Sequence, residues 1–306
     1  MGAPVTDHGG MATDEPNKQP YEELDADLSQ VLRRLRRNTA EGRHRLANDL
    51  ATRSYIGAGM RLIDRELGDM PPDAADEDGP RLRVLEWLSR RMVSEEVANG
   101  PGHLMRHGTE ASMRDRWDPH SDYIADLLSY ALWPYHYLDR LEDQVAGWIR
   151  QLRDRSGFVE TIHELAYQEL RAISEMPTFR FLLIAAAAAR RDDAIREALI
   201  QNYADALRIW RPVHAEMLRA HGLRLRPGLS MDDLAYILDA VADGLSLRLL
   251  IDPDAPIIDH DRYRSLFGMV ILALIAGCTE RIDDPQGLTL DQVVQALIHK
   301  EDPEDG

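Results

Sequence analysis

The sequence predicts an all-α chain, on three observations. Apolar residues recur at spacings of three and four through most of its length, the period-two alternation of strands is missing, and the periodic segments stop at Gly, Pro and Asn breakers. No short internal repeat organises these segments.

The elements follow in chain order. Residues 1–20 are rich in Gly, Pro, Asp and Thr with little apolar content, and are expected to be disordered. Residues 21–37 predict a helix whose later turns are basic. RLANDLATRSYIGAGMRLIDREL, residues 45–67, sets Leu46, Leu50, Ile56, Met60 and Ile63 at near-helical spacing, with Gly57 and Gly59 as weak points. An acidic Pro/Gly loop over 68–80 ends it. Residues 81–99 predict the next helix from Leu82, Leu85, Leu88 and Val93, and it stops at Asn99-Gly100-Pro101. GTEASMRDRWDPHSDYIADLL, from Gly108 to Leu128, sets a short, polar, arginine-bearing helix between breakers and then runs into an amphipathic helix near 121–132. Further helices are expected near 134–155, 158–174, 177–189, 192–221, 230–251, 261–279 and 289–299. Pro212 should kink the long one, because it lacks an N–H and crowds the preceding turn.

Composition bounds the function. At 306 residues the chain divides into an acidic tail over 1–30, a domain over 31–132 and a domain over 133–306. The single cysteine, Cys278, excludes an intramolecular disulfide and a cysteine zinc site, which suits a reducing compartment. The most apolar run, Leu266 to Cys278, is 13 residues, short of the roughly 20 that span a bilayer. The first thirty residues lack a secretory pattern, so a cytoplasmic protein without a membrane partner is expected. The net charge of −17 argues against nucleic acid until it is divided: −6 over residues 1–30, +2 over 31–117 and −13 over 118–306. Arg33, Arg34, Arg36, Arg37, Arg43, Arg45 and Arg53 face only Glu41 and Asp49 between residues 31 and 53, and distant acids are screened beyond about 8 Å.

Enzyme patterns are weak. Asp139, Glu142 and Asp143 have loosely the spacing of metal-binding acids, but no second motif follows; HELAYQEL has no second histidine four residues after His163. Neither a Gly-rich phosphate loop nor a cysteine nucleophile setting is present, so no catalytic, metal or cofactor site is expected.

The late helices carry the clearest local signals. Ser230 with Asp233 has capping-box spacing. Leu234, Ile237, Leu238, Val241, Leu245 and Leu249 then fall on one stripe, flanked by Ala235, Ala242 and Ser246, and the helix stops at Asp252-Pro253. YRSLFGMVILALIAGC is apolar nearly all round and asks for burial on more than one side. These two helices suit either a four-helix dimer interface or the core of a monomer.

FLLIAAAAARRDDAIREALIQNYADAL, then LRPGLSMDDLAYILDAVADGLSLRLLIDP, then YRSLFGMVILALIAG resembles the C-terminal ligand-binding and dimerisation domain of TetR-like transcriptional regulators, over about residues 158–279. The resemblance implies an N-terminal helix-turn-helix. ATRSYIGAGMRLI looks like its first helix, opened by Thr52-Arg53, and VLEWLSRRMVSEEVA like its second. TEASMRDRW looks like the recognition helix, with Met113, Arg114 and Trp117 at the family's leucine, tyrosine and phenylalanine, and DPHSDYIADLL like the start of the fourth. The loop over 68–80 is longer than in the family, NGPGHLMRHG replaces its Ala-Gly-Val-Ser turn, and its usual lysine is missing.

The implied DNA contacts are Arg53, Thr109, Glu110, Ser112, Arg114, Arg116 and His120, with Thr109, Glu110 and Ser112 at base edges, Arg114 and Arg116 on phosphates, and Trp117 as the anchor. The basic residues from Arg33 to Arg45 would form an arm. Ligand-binding residues are expected among Tyr135, His136, Trp148, Tyr167, Trp210 and His214, favouring a flat or lipophilic effector. The dimer interface is expected at Leu234, Leu238, Val241, Leu245, Val270 and Leu274. The function so implied is a homodimer that binds a double-stranded DNA operator, most simply as a repressor released by a small molecule. The rival is a helical dimer that binds a ligand or partner without touching DNA.

Overall fold

Capping decides where the N-terminal helices begin and end. The computed structural model describes residues 26–37, 39–68, 86–99, 108–133, 147, 150 and 157–298. Helix α1 (Ala40–Ala47) opens on Thr39, whose Oγ1 accepts the Gly42 N–H at 3.1 Å. Helix α2 (Leu50–Leu67) follows Asp49, so the single helix expected over 45–67 is two. Asn48 makes the break: its Oδ1 accepts the Leu28 N–H at 3.0 Å and an Arg53 N–H at 3.1 Å, while its amide donates to Asp27 at 2.6 Å.

Residues 31–37 are not the expected helix; only a 3-10 turn, Leu28–Gln30, forms among residues 26–37. A helix would need the amides of Arg33, Arg34 and Arg36, and these are donated to Asp126 and to the Arg116 carbonyl. Helix α3 (Arg90–Asn99) is shorter than the helix expected over 81–99; a 3-10 turn, Glu86–Leu88, precedes it, and 81–85 lie outside the described residues. Helices α4 (Glu110–Arg114) and α5 (His120–Ala131) follow where the spacing puts them.

The expected helix over 134–155 lies outside the described residues apart from 147 and 150, as do the tail over 1–25 and the acidic stretch 69–85. Beyond it come α6 (Phe158–Glu175), α7 (Pro177–Ala188), α8 (Asp193–Ala220), α9 (Met231–Ile251), α10 (Leu266–Cys278) and α11 (Leu290–Ile298). Asp192 caps α8 by accepting the Ala194 and Ile195 N–H groups, and α8 continues through Pro212 as one helix. At α9 both halves of the capping box form: Asp233 N–H donates to Ser230 Oγ at 3.1 Å, and Ser230 N–H to Asp233 Oδ2 at 2.8 Å.

Helix α10 begins later than expected because residues 258–265 make a ribbon, β2 (Ile258–Asp259) against β3 (Arg264–Ser265), and Ser265 then caps the helix. A second antiparallel ribbon pairs β1 (Leu223–Leu225) with β4 (Thr279–Arg281), Arg224 opposite Glu280. Strands of two or three residues are too short to show alternation.

Two apolar cores organise these elements. The first joins Leu28 to Leu35, α2, α3, α4 and α5 with Phe181, Leu182 and Ala185 of α7 and Ala194 to Leu199 of α8. The second joins α6, the last turns of α8, α9 and α10. Helix α8 contributes to both cores, its first turns to the first and its last turns to the second. In α9 the buried residues are Leu234, Ala235, Leu238, Ala242, Ser246 and Leu249, whereas Ile237 is exposed; the small flank faces inward. Helix α10 buries only Phe267, Gly268 and Cys278 fully; Ile271, Leu272, Leu274 and Ile275 pack half-buried against the second core, and Met269 is 59% exposed, so part of its apolar surface is left open by the described residues. Among the described residues no helix is long and apolar enough to cross a membrane.

Candidate functional site

Helix α4 is held from below and left polar above. Tyr55 of α2 fixes its start: the phenol donates to the Thr109 carbonyl at 2.9 Å and accepts the Thr109 N–H at 3.0 Å, while Thr109 Oγ1 caps the Ser112 N–H at 3.1 Å. Met113 and Trp117 are fully buried. The indole stands edge-on between Tyr55 and Tyr123, with centroids 6.2 and 5.1 Å away, and its Nε1 donates to Asp126 at 2.8 Å. Thr109, Glu110, Ala111, Arg114 and Asp115 are exposed, and Ser112 is half-buried.

The expected DNA contacts divide on this geometry. Arg114 is exposed and makes no ion pair among the described residues. Arg116 turns inward: it donates to Thr52 Oγ1 at 3.1 Å, to the Ser112 carbonyl at 2.9 Å and to Asp49 at 2.5 Å, with its guanidinium 5.8 Å from the Tyr55 ring centroid. These contacts commit Arg116 to the fold, where the sequence expects it on a phosphate. His120 is likewise spent: Nε2 contacts the Leu88 carbonyl at 2.8 Å, the ring stacks on Tyr123, and burial holds the imidazole below its ordinary value. Arg53 reaches the Ala26 carbonyl at 3.2 Å and Asn48, tying down residues 26–28.

The basic segment lies beside α4. Arg33 and Arg34 give their N–H groups to Asp126 at 2.8 and 3.0 Å, and Arg36 N–H reaches the Arg116 carbonyl at 2.9 Å. Asp126 thus accepts three N–H donors at a fully buried carboxylate, whose pKa burial pushes up to about 7 against those hydrogen bonds. Arg33, Arg36, Arg37, Arg43 and Arg45 are exposed on this segment and α1. The sequence carries one signal for Asp126: an acid between Ala125 and Leu127, where an apolar face is due.

A second candidate lies in the C-terminal core. Trp210 and His214 of α8, stacked with centroids 6.2 Å apart, line a cavity of about 70 Å³ together with Ile162, Leu165, Ala166, Glu169, Val213, Met217, Leu238 and Ile271. Burial lowers the His214 pKa to about 4, and its buried Nδ1 has no hydrogen-bond partner among the described residues. Burial raises Glu169 to about 7, with Asp239 adding to it, and Asp239 itself is raised to about 6 by burial and by Asp243. Tyr203 donates to Asp243 at 3.2 Å. Tyr167 lies elsewhere, its hydroxyl 3.0 Å from His260 Nδ1, so it is not brought to this cavity. Tyr135, His136 and Trp148 lie outside the described residues. Among the described residues no group of three His, Cys, Asp or Glu side chains is placed to hold a metal ion.

No family model, curated protein or solved structure matches this chain.

Of the residues expected at a dimer interface, Leu234 and Leu238 are buried within the second core, and Val241, Leu245, Val270 and Leu274 are half-buried. The apolar side chains left open on the same two helices are Tyr236, Ile237, Leu247, Ile251, Leu266 and Met269. Sequence spacing misses most of these because α9 and α10 are apolar on several faces, so periodicity does not fix which face turns inward.

Proposed function

We propose that this chain is a DNA-binding transcriptional regulator of the TetR-like kind, with an N-terminal helical unit that contacts a duplex and a C-terminal helical core that takes a small-molecule effector. The observation that carries the reading is α4: a short helix pinned by Met113, Trp117 and Tyr55, polar on its outer face, with exposed arginines on the segment alongside. A helix presented in this way suits a major groove, with Arg114, Arg36 and Arg37 on phosphates and Thr109, Glu110 and Ser112 toward base edges. The chain would act in the cytoplasm as a homodimer in which a second copy covers Tyr236, Leu247 and Met269. Repression, with release when effector binding favours a dimer whose recognition helices miss the spacing of about 34–36 Å between successive major grooves, is the simplest mechanism.

A second reading, a helical dimer that does not touch DNA, is favoured by the inward turn of Arg116 and His120. One experiment separates the two. Purified full chain is used to select genomic fragments, and an enriched fragment is titrated at several salt concentrations. The regulator reading expects a near-palindromic site with steep salt dependence. It also expects a combined Arg36→Ala, Arg37→Ala and Arg114→Ala variant to flatten the log–log slope by about 0.9 for each phosphate that an arginine no longer neutralises. The same sample should sediment as a dimer that Met269→Glu separates. No enrichment from a folded dimer would establish the second reading.

A further inference from the structure

The cavity between α6, α8, α9 and α10 has a composition that a sealed hydrophobic core would not choose. Eight of its ten lining residues are apolar or aromatic, and the other two, Glu169 and His214, bring polar groups to the same small space. The buried Nδ1 of His214 has no partner, and Glu169 makes no hydrogen bond or ion pair, among the described residues. A buried polar atom is nearly always satisfied, so the open His214 nitrogen, beside a half-buried carboxylate without a partner on the same cavity, marks a place where something else supplies the hydrogen bonds.

The charge of that donor follows from the surroundings. Asp239 of α9 lies near enough to Glu169 to raise it further, Asp243 acts in turn on Asp239, and Asp243 receives only the Tyr203 hydroxyl among the described residues. The arginines of α8 nearest the cavity in sequence are engaged elsewhere: Arg208 with Asp205 and Arg211 with Asp232. A carboxylate facing an apolar cavity, with further carboxylates behind it and an indole at its wall, attracts a cation that can shed its water.

We infer that the C-terminal core binds an organic amine, its ammonium group seated between Glu169 and His214 against the Trp210 ring and its apolar body along Ile162, Leu165 and Ile271. The inference rests on the reading of this core as the effector-binding unit and narrows the effector to a class. Size sets which part of the ligand is recognised. A cavity of about 70 Å³ is well below the roughly 300 Å³ or more of a pocket that encloses a whole ligand, so it takes the ammonium and the first carbons, and the remainder lies outside it. A longer body would enter by displacing Met217, whose unbranched side chain re-packs readily.

Isosteric pairs test the charge. Hexylamine against hexan-1-ol, and 2-phenylethylamine against 2-phenylethanol, differ at one end only, and each is titrated calorimetrically into the full chain at pH 7.5 in the absence of DNA. The expected result is binding of both amines at least tenfold tighter than their alcohols. In Glu169→Gln the amines should weaken about tenfold while the alcohols stay unchanged. Equal affinity of amine and alcohol would overturn the inference, as would no binding of any probe, or an amine preference that survives in Glu169→Gln. The two readings fail separately. Alcohols bound as tightly as amines would leave an effector core without cation selectivity, whereas amine binding by a chain that selects no DNA would support the amine site and remove the regulator.

Discussion

At the scale of single residues, arginines that look alike in the sequence do different things. Arg114 and Arg116 are two positions apart on one short stretch, and the sequence offers both to a phosphate. The structure turns one outward and uses the other to join α2, α4 and Asp49 through four hydrogen bonds. Removing Arg116 leaves Asp49, Thr52 and Ser112 to find new partners, at a cost of about 2–4 kcal/mol, while an exposed arginine without an ion pair costs under about 0.5 kcal/mol. Urea unfolding of Arg116→Ala and Arg114→Ala checks this; equal stability of the two variants would show that Arg116 does not hold the helix. The same limit applies to the acids. Asp126 is legible only as an acid in an apolar run and Glu169 only as one more acid on an amphipathic helix, because what gives them a role comes from distant parts of the chain: Asp126 receives the Arg33 amide from 93 residues away.

At the scale of elements, helices are legible where local chemistry sets their ends. Asp192 and the Ser230–Asp233 box start α8 and α9 within one residue of the expected positions, since capping needs only neighbours in sequence. Residues 31–37 fail for the opposite reason: their amides are taken by Asp126 and Arg116, and no local pattern announces that. Gly59 shows how one feature can be legible and its meaning not. Spacing marks it as a weak point in α2, whereas it is a point of close approach to α5. A Cβ there would sit 2.3 Å from the Tyr123 hydroxyl and 2.7 Å from Leu127, and Tyr123 cannot swing away without losing its 2.9 Å bond to the Tyr55 carbonyl. Alanine is the better helix former by about 1 kcal/mol, but overpacking of this kind costs about 1–3 kcal/mol. Gly59→Ala should therefore lower the melting temperature despite its propensity, and a rise in Tm would mean that α2 and α5 are not so closely apposed.

At the scale of the whole molecule, both cores bury acids at an electrostatic cost, Asp126 in the first and Glu169 and Asp239 in the second. Glu169 is held at about 7 and Asp239 at about 6, both above an unfolded carboxylate near 4, so the folded state keeps protons that the unfolded state releases between those limits. Stability from these groups is full at low pH and lost as pH rises toward 7. His214, held at about 4, acts the other way, its contribution present above about 6.5 and lost as pH falls toward 4; His120 and His163, also lowered by burial, share its sign. Opposed groups make the wild-type profile uninformative, but the difference between two proteins isolates one of them. Glu169→Gln keeps the shape and removes the ionisation, so at pH 8 it should be more stable than wild type by about 2 kcal/mol, with the gain gone by about pH 3.5, where the carboxyl is protonated in both states. Urea unfolding at the two pH values measures the difference. A gain of equal size at both would assign the effect to packing, and a loss at pH 8 would mean that a cation of the protein itself already partners Glu169, which would also close the cavity to an amine.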